Sequence, residues 1–154
     1  MQLKDFLTRE RCYCRIEGVS KKRLLENISE LLSKQFSNLD DNEIFNAIMA
    51  REQLGSTGLG NGIAIPHCRV PHCEAIIGAL ITLENAIDFN AIDGKKVDLI
   101  FLLIVPEEKT EDHIKTLAGL AELFNDPDFC STIRQAQDSN DLYKVTLPFS
   151  QIKR

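Results

Sequence analysis

Two short runs constrain the fold of this chain more than any other feature: AIIGALITL, Ala75 to Leu83, and VDLIFLLIV, Val97 to Val105. Each is strand length, rich in β-branched residues and almost free of polar side chains. Strands of that kind need cover on both sides, so the pair predicts buried strands in a sheet enclosed by other elements. Between them, NAIDFNAIDGKK contains Asp93-Gly94, a turn signal.

Helical periodicity supplies the cover. After Ser20, a plausible N-cap, Leu24, Leu25, Ile28, Leu31, Leu32 and Phe36 recur at helical spacing. Asp40 with Glu43 three residues on forms a capping-box pattern. Ile44, Phe45, Ile48 and Met49 then line one face of a second helix, which ends between Arg51 and Leu54, before Gly55. The segment TEDHIKTLAGLAELFND spaces Ile114, Leu117, Leu120, Ala121 and Phe124 as a third helix, with Thr110 as its cap and His113 in its first turn. Pro127 marks another helix start, and SNDLYKVTL reads as a short last helix. No internal repeat, low-complexity tract or linker interrupts the 154 residues. The expectation is a single domain, residues 1–154, with an α/β (α+β) sandwich fold: a small mixed β-sheet flanked by helices. A chain of this length buries about 68–70% of its unfolded surface and needs neither disulfide nor metal for stability.

The segment GSTGLGNGIAIPHC, Gly55 to Cys68, is of a different kind. Four of the eight glycines, Gly55, Gly58, Gly60 and Gly62, fall within eight residues. Such a segment can turn backbone N–H groups into one concavity that suits anionic oxygen, with Ser56, Thr57 and Asn61 as further donors. A plain turn between a helix and a strand is the alternative reading. It is neither the GxxxxGK[ST] nor the GxGxxG nucleotide loop, since its spacing is GxxGxGxG and no lysine follows. Ile63 and Ile65 then alternate like a short strand, and Pro66 stiffens the backbone that presents His67. A neutral imidazole is a nucleophile near pH 7, and beside an anion-binding loop it suits phosphoryl chemistry.

The residues REQLGSTGLGNGIAIPHC, Arg51 to Cys68, closely resemble the active-site signature of the enzyme IIA domains of the bacterial phosphotransferase system, fructose/mannitol type. The chain spans one such domain end to end, and its GSTGLGNG wording is most similar to the free-standing nitrogen-regulatory branch. The resemblance implies that His67 accepts a phosphoryl group on Nε2 from a phosphohistidine of an HPr-like carrier, with phosphoenolpyruvate as the ultimate donor. It implies that Arg51 lies near the phosphohistidine and that His113, 46 residues after His67, is its partner histidine. Ser56, Thr57, Gly60 and Asn61 are the expected phosphate-binding residues of the loop. Glu52 also matches the signature, with its role open. No cofactor and no metal is called for. The implied output is regulation by phosphorylation state, acting on targets such as potassium transporters or sensor kinases in potassium, nitrogen and carbon handling.

Two alternatives stay in view. The protein could pass its phosphoryl group to a sugar-specific enzyme IIB as part of transport. Alternatively, HCRVPHC, with His67, Cys68, His72 and Cys73, joined by Cys12 and Cys14, could hold zinc. Against zinc, neighbours such as His67 and Cys68 point to opposite sides of an extended chain. The formal net charge of −5 argues against a general nucleic-acid binder. No run reaches the roughly 18–20 apolar residues of a membrane span. The charged N-terminus does not read as a signal peptide, and an odd cysteine count suggests free thiols, so the expected compartment is the cytoplasm.

Overall fold

The computed structural model describes residues 2–108 and 110–149. In chain order it runs β1 (Leu7–Ile16), α1 (Lys21–Ser33), α2 (Asp41–Leu54), β2 (Gly58–Gly60), β3 (Ile63–Ala64), β4 (His67–Val70), β5 (Ile77–Ile87), β6 (Val97–Pro106), α3 (Thr110–Phe124), α4 (Pro127–Gln135) and α5 (Ser139–Thr146). The two apolar runs are β5 and β6, an antiparallel pair in the middle of a six-stranded mixed sheet of order β1-β5-β6-β3-β2. β1 runs parallel to β5, and β2 is antiparallel to β3. β3 and β4 are both parallel to β6 and succeed one another along it, with Ile63 opposite Leu99 and His67 opposite Leu103.

Because side chains alternate along a strand, the sheet has two apolar faces, and each has its own helices. Ile81, Ile100, Leu102 and Ile104 pack beneath Leu24, Leu25, Ile28 and Leu32 of α1 and Ile44 and Ile48 of α2. Leu80, Leu99, Phe101, Leu103 and Val105 pack beneath Leu120 and Phe124 of α3, Phe129 and Ile133 of α4 and Leu142 of α5. This is the expected mixed sheet flanked by helices. On the second face Phe101 stands edge-on to Phe6 and Phe124, with ring centroids 6.0 and 6.1 Å away. Room for that cluster comes from Gly78, where a Cβ would lie 2.7 Å from Phe101 Cζ.

The helix starts follow their caps. Ser20 accepts the Arg23 N–H at 3.2 Å and Asp40 that of Glu43 at 3.1 Å, each cap contributing about 1 kcal/mol. Pro127 opens α4, with Asp126 as its N-cap. Thr110 is the first residue of α3 itself, and the position before it lies outside the described residues.

β1 carries no strand signal in its residues, LTRERCYCRI, yet it forms an edge of the sheet. Its buried cation is held by backbone carbonyls: Arg11 is 8% exposed and donates to those of Gly78 (2.9 Å) and Phe6 (3.1 Å). Among the described residues, no helix is long and apolar enough to cross a membrane.

Candidate functional site

The site begins where α2 ends. Arg51 Nη1 donates to the Gly55 carbonyl at 2.9 Å, closing the last turn. The next residue, Glu52, points inward and its side chain is 2% exposed. Its carboxylate accepts the backbone N–H of Thr57 (3.3 Å) and the Thr57 hydroxyl, and pairs with Lys21 Nζ at 2.7 Å. Lys21 Nζ also sits 4.7 Å from the centre of the Phe89 ring. Ser56 Oγ donates to the Phe89 carbonyl (2.8 Å) and accepts from the Gly58 N–H (3.0 Å). A buried charge paired and hydrogen-bonded on this scale is strongly held in place, because breaking either partner leaves the other uncompensated. Lys21, at the start of α1, thus belongs to the site's support. With 30 residues between it and Glu52, no local pattern could have pointed to it.

The glycines then form a hairpin, not an open cradle. β2 and β3 are joined by Asn61-Gly62, with φ of 57° and 83°, the two positive values that a two-residue type I′ turn requires. The tip is tied down: the Asn61 N–H donates to Asp93 Oδ2 at 2.9 Å, and the Gly62 carbonyl accepts from both Asp98 and Leu99 at 3.0 Å. Asn61 and Gly60 are therefore displaced from His67. Four residues separate Ile63 from His67 in register along β6, about 13 Å of strand. Gly60 and Asn61, expected to bind phosphate, thus stand at the hairpin tip, towards the other end of β6 from His67. Ser56 and Thr57 lie nearer in the fold, but their hydroxyls and the N–H groups of Thr57 and Gly58 already have internal partners. The start of the glycine segment is thus a clamped turn.

His67 opens β4 directly after Pro66, whose carbonyl accepts the Leu103 N–H at 2.9 Å. Its Nδ1 lies 2.8 Å from the Ile65 carbonyl. A carbonyl can only accept, so Nδ1 carries the proton and Nε2 is left with its lone pair. Burial pushes the imidazole pKa below 6.5; the Ile65 carbonyl opposes this, the Arg51 charge adds to it, and Glu52 opposes it. The ring is therefore neutral near pH 7, half-buried, and nucleophilic at Nε2.

His67 is in register with Leu103, so its side chain belongs to the face covered by α3. α3 starts just past the end of β6, and His113 sits in its opening residues on the stripe that continues through Leu117, Leu120 and Phe124. His113 is 3% exposed. The two histidines thus share one face and one end of the sheet, and the Arg51 charge, from α2, acts on His67.

The remaining metal candidates diverge. Cys68 lies on the opposite face, 6% exposed, with its thiol pushed up to about 12 by burial. His72 is exposed in a turn at φ +66°, and the Cys73 thiol donates to the Ala75 carbonyl at 3.0 Å. Cys12 and Cys14 point their thiols at the carbonyls of Thr8 and Ala136. All five cysteines are free, and among the described residues no three His, Cys, Asp or Glu side chains converge on a metal position.

Residues 5–147 match the family described as phosphoenolpyruvate-dependent sugar phosphotransferase system, EIIA 2. The chain is 42% identical over 147 residues to a nitrogen regulatory protein of Pseudomonas aeruginosa, covering 96% of each. Its fold is similar to the crystal structure of nitrogen regulatory protein IIA-Ntr from Neisseria meningitidis, with a TM-score of 0.85 and 36% identity over 92% of this chain and 96% of that one. It is also similar in fold to IIA mannitol from Escherichia coli, with a TM-score of 0.73 and 16% identity over 90% and 97% of the two chains.

Proposed function

The chain belongs to the EIIA 2 family of the phosphoenolpyruvate-dependent sugar phosphotransferase system, and on that premise we propose that it is a phosphoryl carrier whose acceptor atom is His67 Nε2. The observation that carries this reading is the 2.8 Å hydrogen bond from Nδ1 to the Ile65 carbonyl, which leaves Nε2 as the nucleophile. The donor is a phosphohistidine on an HPr-like carrier protein, charged from phosphoenolpyruvate. The Nε2 lone pair attacks phosphorus in line, the bond from phosphorus to the donor nitrogen breaks, and its electron pair returns to the donor imidazole. The Nδ1 proton stays on His67, where the Ile65 carbonyl stabilises the positive charge the ring gains.

Transfer of this kind depends on positioning and on countering charge spread over the three phosphoryl oxygens. Arg51 supplies a planar donor fork suited to those oxygens, and His113 a second donor from the start of α3. Ser56, Thr57, Glu52 and Lys21 act one step back, as positioning residues that fix the loop between α2 and β2.

Similarity over nearly the whole chain to nitrogen regulatory proteins favours regulation over sugar transport as the output. Phosphorylation adds nearly two negative charges beside a surface that includes exposed Leu54 and Ile114, neighbours in the chain of the site residues. Docking to target proteins such as potassium transporters or sensor kinases in the cytoplasm would then follow the phosphorylation state.

Intact mass after incubation with phosphoenolpyruvate, the first enzyme of the relay and the carrier tests the reading. One acid-labile phosphoryl adduct is expected on the wild type and none on His67→Ala, with Arg51→Ala and His113→Ala slowed but active. Normal uptake by His67→Ala would refute the assignment. Efficient onward transfer from the phosphoprotein to a sugar-specific enzyme IIB would replace regulation by transport.

A further inference from the structure

We propose that the protein has a second small-molecule site, a cleft under α4 that takes a small organic anion bearing hydroxyl groups. The cleft encloses about 720 Å³, within the range of ligand pockets. It lies between α4, the tip of the β2–β3 hairpin and the C-terminal end of β1. Five residues of β6 separate Asp98, behind the cleft, from Leu103 beside His67, about 16 Å of strand, so the cleft is distinct from the phosphoryl site.

The cleft is positively charged. The chain has 23 acidic residues against 18 Lys and Arg, yet the charged residues that line this cleft are Arg15 and Arg134, with no carboxylate among them. Arg134 is fixed from behind by Asp98, through Nε to Oδ2 at 3.0 Å and Nη2 to Oδ1 at 2.9 Å, and its Nη2 also donates to the Asn61 carbonyl at 3.0 Å. Asp98 offsets that charge, so the cleft keeps a single net positive charge, carried by Arg15.

Arg15 falls where the β1–β5 register shifts, at φ +50°, with its N–H on Thr82 Oγ1 at 2.7 Å. Such a bulge re-aims a side chain off the regular alternation of the strand. The guanidinium is steadied by one bond, Nε to the Ala136 carbonyl at 3.0 Å, and among the described residues nothing takes its two Nη groups. A held guanidinium with its fork open is a receptor for phosphate or carboxylate. The uncharged polar part of the wall is chiefly carboxamide, from Asn61, Asn125, Gln135 and Gln137, beside apolar Ile63, Phe124 and Pro127. Each carboxamide offers both donor and acceptor, the complement of hydroxyl groups.

Isothermal titration calorimetry of the unphosphorylated protein with glucose 6-phosphate, gluconate and glucose tests the proposal. At least one of the two anions should bind saturably, one to one, and glucose much more weakly. Which anion binds identifies the head group as phosphate or carboxylate. Arg15→Gln should lose about tenfold or more in affinity, as expected for removing a charge-assisted contact. Asn125→Ala, whose side chain bonds to no described residue, should weaken binding too, and it reads the cleft even if Arg15→Gln melts. Arg51→Ala should bind as the wild type does. Failure of both anions to saturate, or binding that is lost with Arg51→Ala and kept in Arg15→Gln and Asn125→Ala, would overturn the proposal.

Discussion

The glycine-rich segment has a start and a tip that are built by different physics. At the start, a buried carboxylate, an ammonium and two hydroxyls pin residues 56–58. At the tip, Asn61 and Gly62 turn the chain through positive φ, and the partners of Asn61, Asp93 and Arg134, are exposed. The start feeds into the elements around His67, while the tip is turned away from it. Glycine at the tip serves chain reversal, while the start is held by the clamp from α2 and leads on to Pro66 and to His67 on the Ile65 carbonyl.

The largest effect is expected from Glu52→Ala. It strands Lys21 without its partner and leaves the Thr57 N–H and hydroxyl without an acceptor, and is expected to cost about 3–5 kcal/mol. Urea unfolding measures this, and phosphoryl uptake in the surviving folded fraction should slow as the loop loosens. A loss under 1 kcal/mol, roughly that of an exposed pair, would mean the clamp is not what fixes the segment.

At the tip, Gly62→Ala places a Cβ at φ +83°, 2.8 Å from Arg134 Nη2 and 2.9 Å from Asp98 Oδ1. Backbone strain of that kind costs about 1–3 kcal/mol. Unlike Glu52→Ala, it should leave phosphoryl uptake at the wild-type rate. Uptake lost along with stability would place the tip in the site after all.

The smallest effect is on pH dependence, and it belongs to the His67 end alone. The folded-state pKa of His67 lies below its ordinary 6.5, chiefly through burial. Between the two values the unfolded chain binds more protons, so stability rises with pH there and is lost as pH falls through 6.5 towards the depressed folded value. Urea midpoints across that range should fall more steeply in the wild type than in His67→Gln. Equal slopes would show that the imidazole is not depressed.

Much of the fold was legible because its signals are local. Ser20, Asp40 and Pro127 stand at helix starts, and β5 and β6 are apolar enough to read as buried strands without context. β1 was not legible, because an edge strand tolerates Arg9, Glu10 and Arg15 on its open side and hides Arg11 against carbonyls. The histidines and Arg51 stand out in the sequence as candidates, whereas the hairpin that the glycines form does not. A spacing of GxxGxGxG allows both a nest and a hairpin, and the choice was made by tertiary partners at distant positions, Asp93, Asp98 and Arg134. The Lys21–Glu52 pair was invisible for the same reason.

The central claim, that the acceptor is Nε2 of a neutral His67 whose Nδ1 is bonded to Ile65, is tested most directly by nuclear magnetic resonance of ¹⁵N-labelled imidazole before and after phosphorylation. A protonated Nδ1 and a bare Nε2 are expected at pH 7, followed by phosphorus–nitrogen coupling at Nε2. A protonated Nε2 in the free protein, or coupling to Nδ1 after transfer, would contradict it.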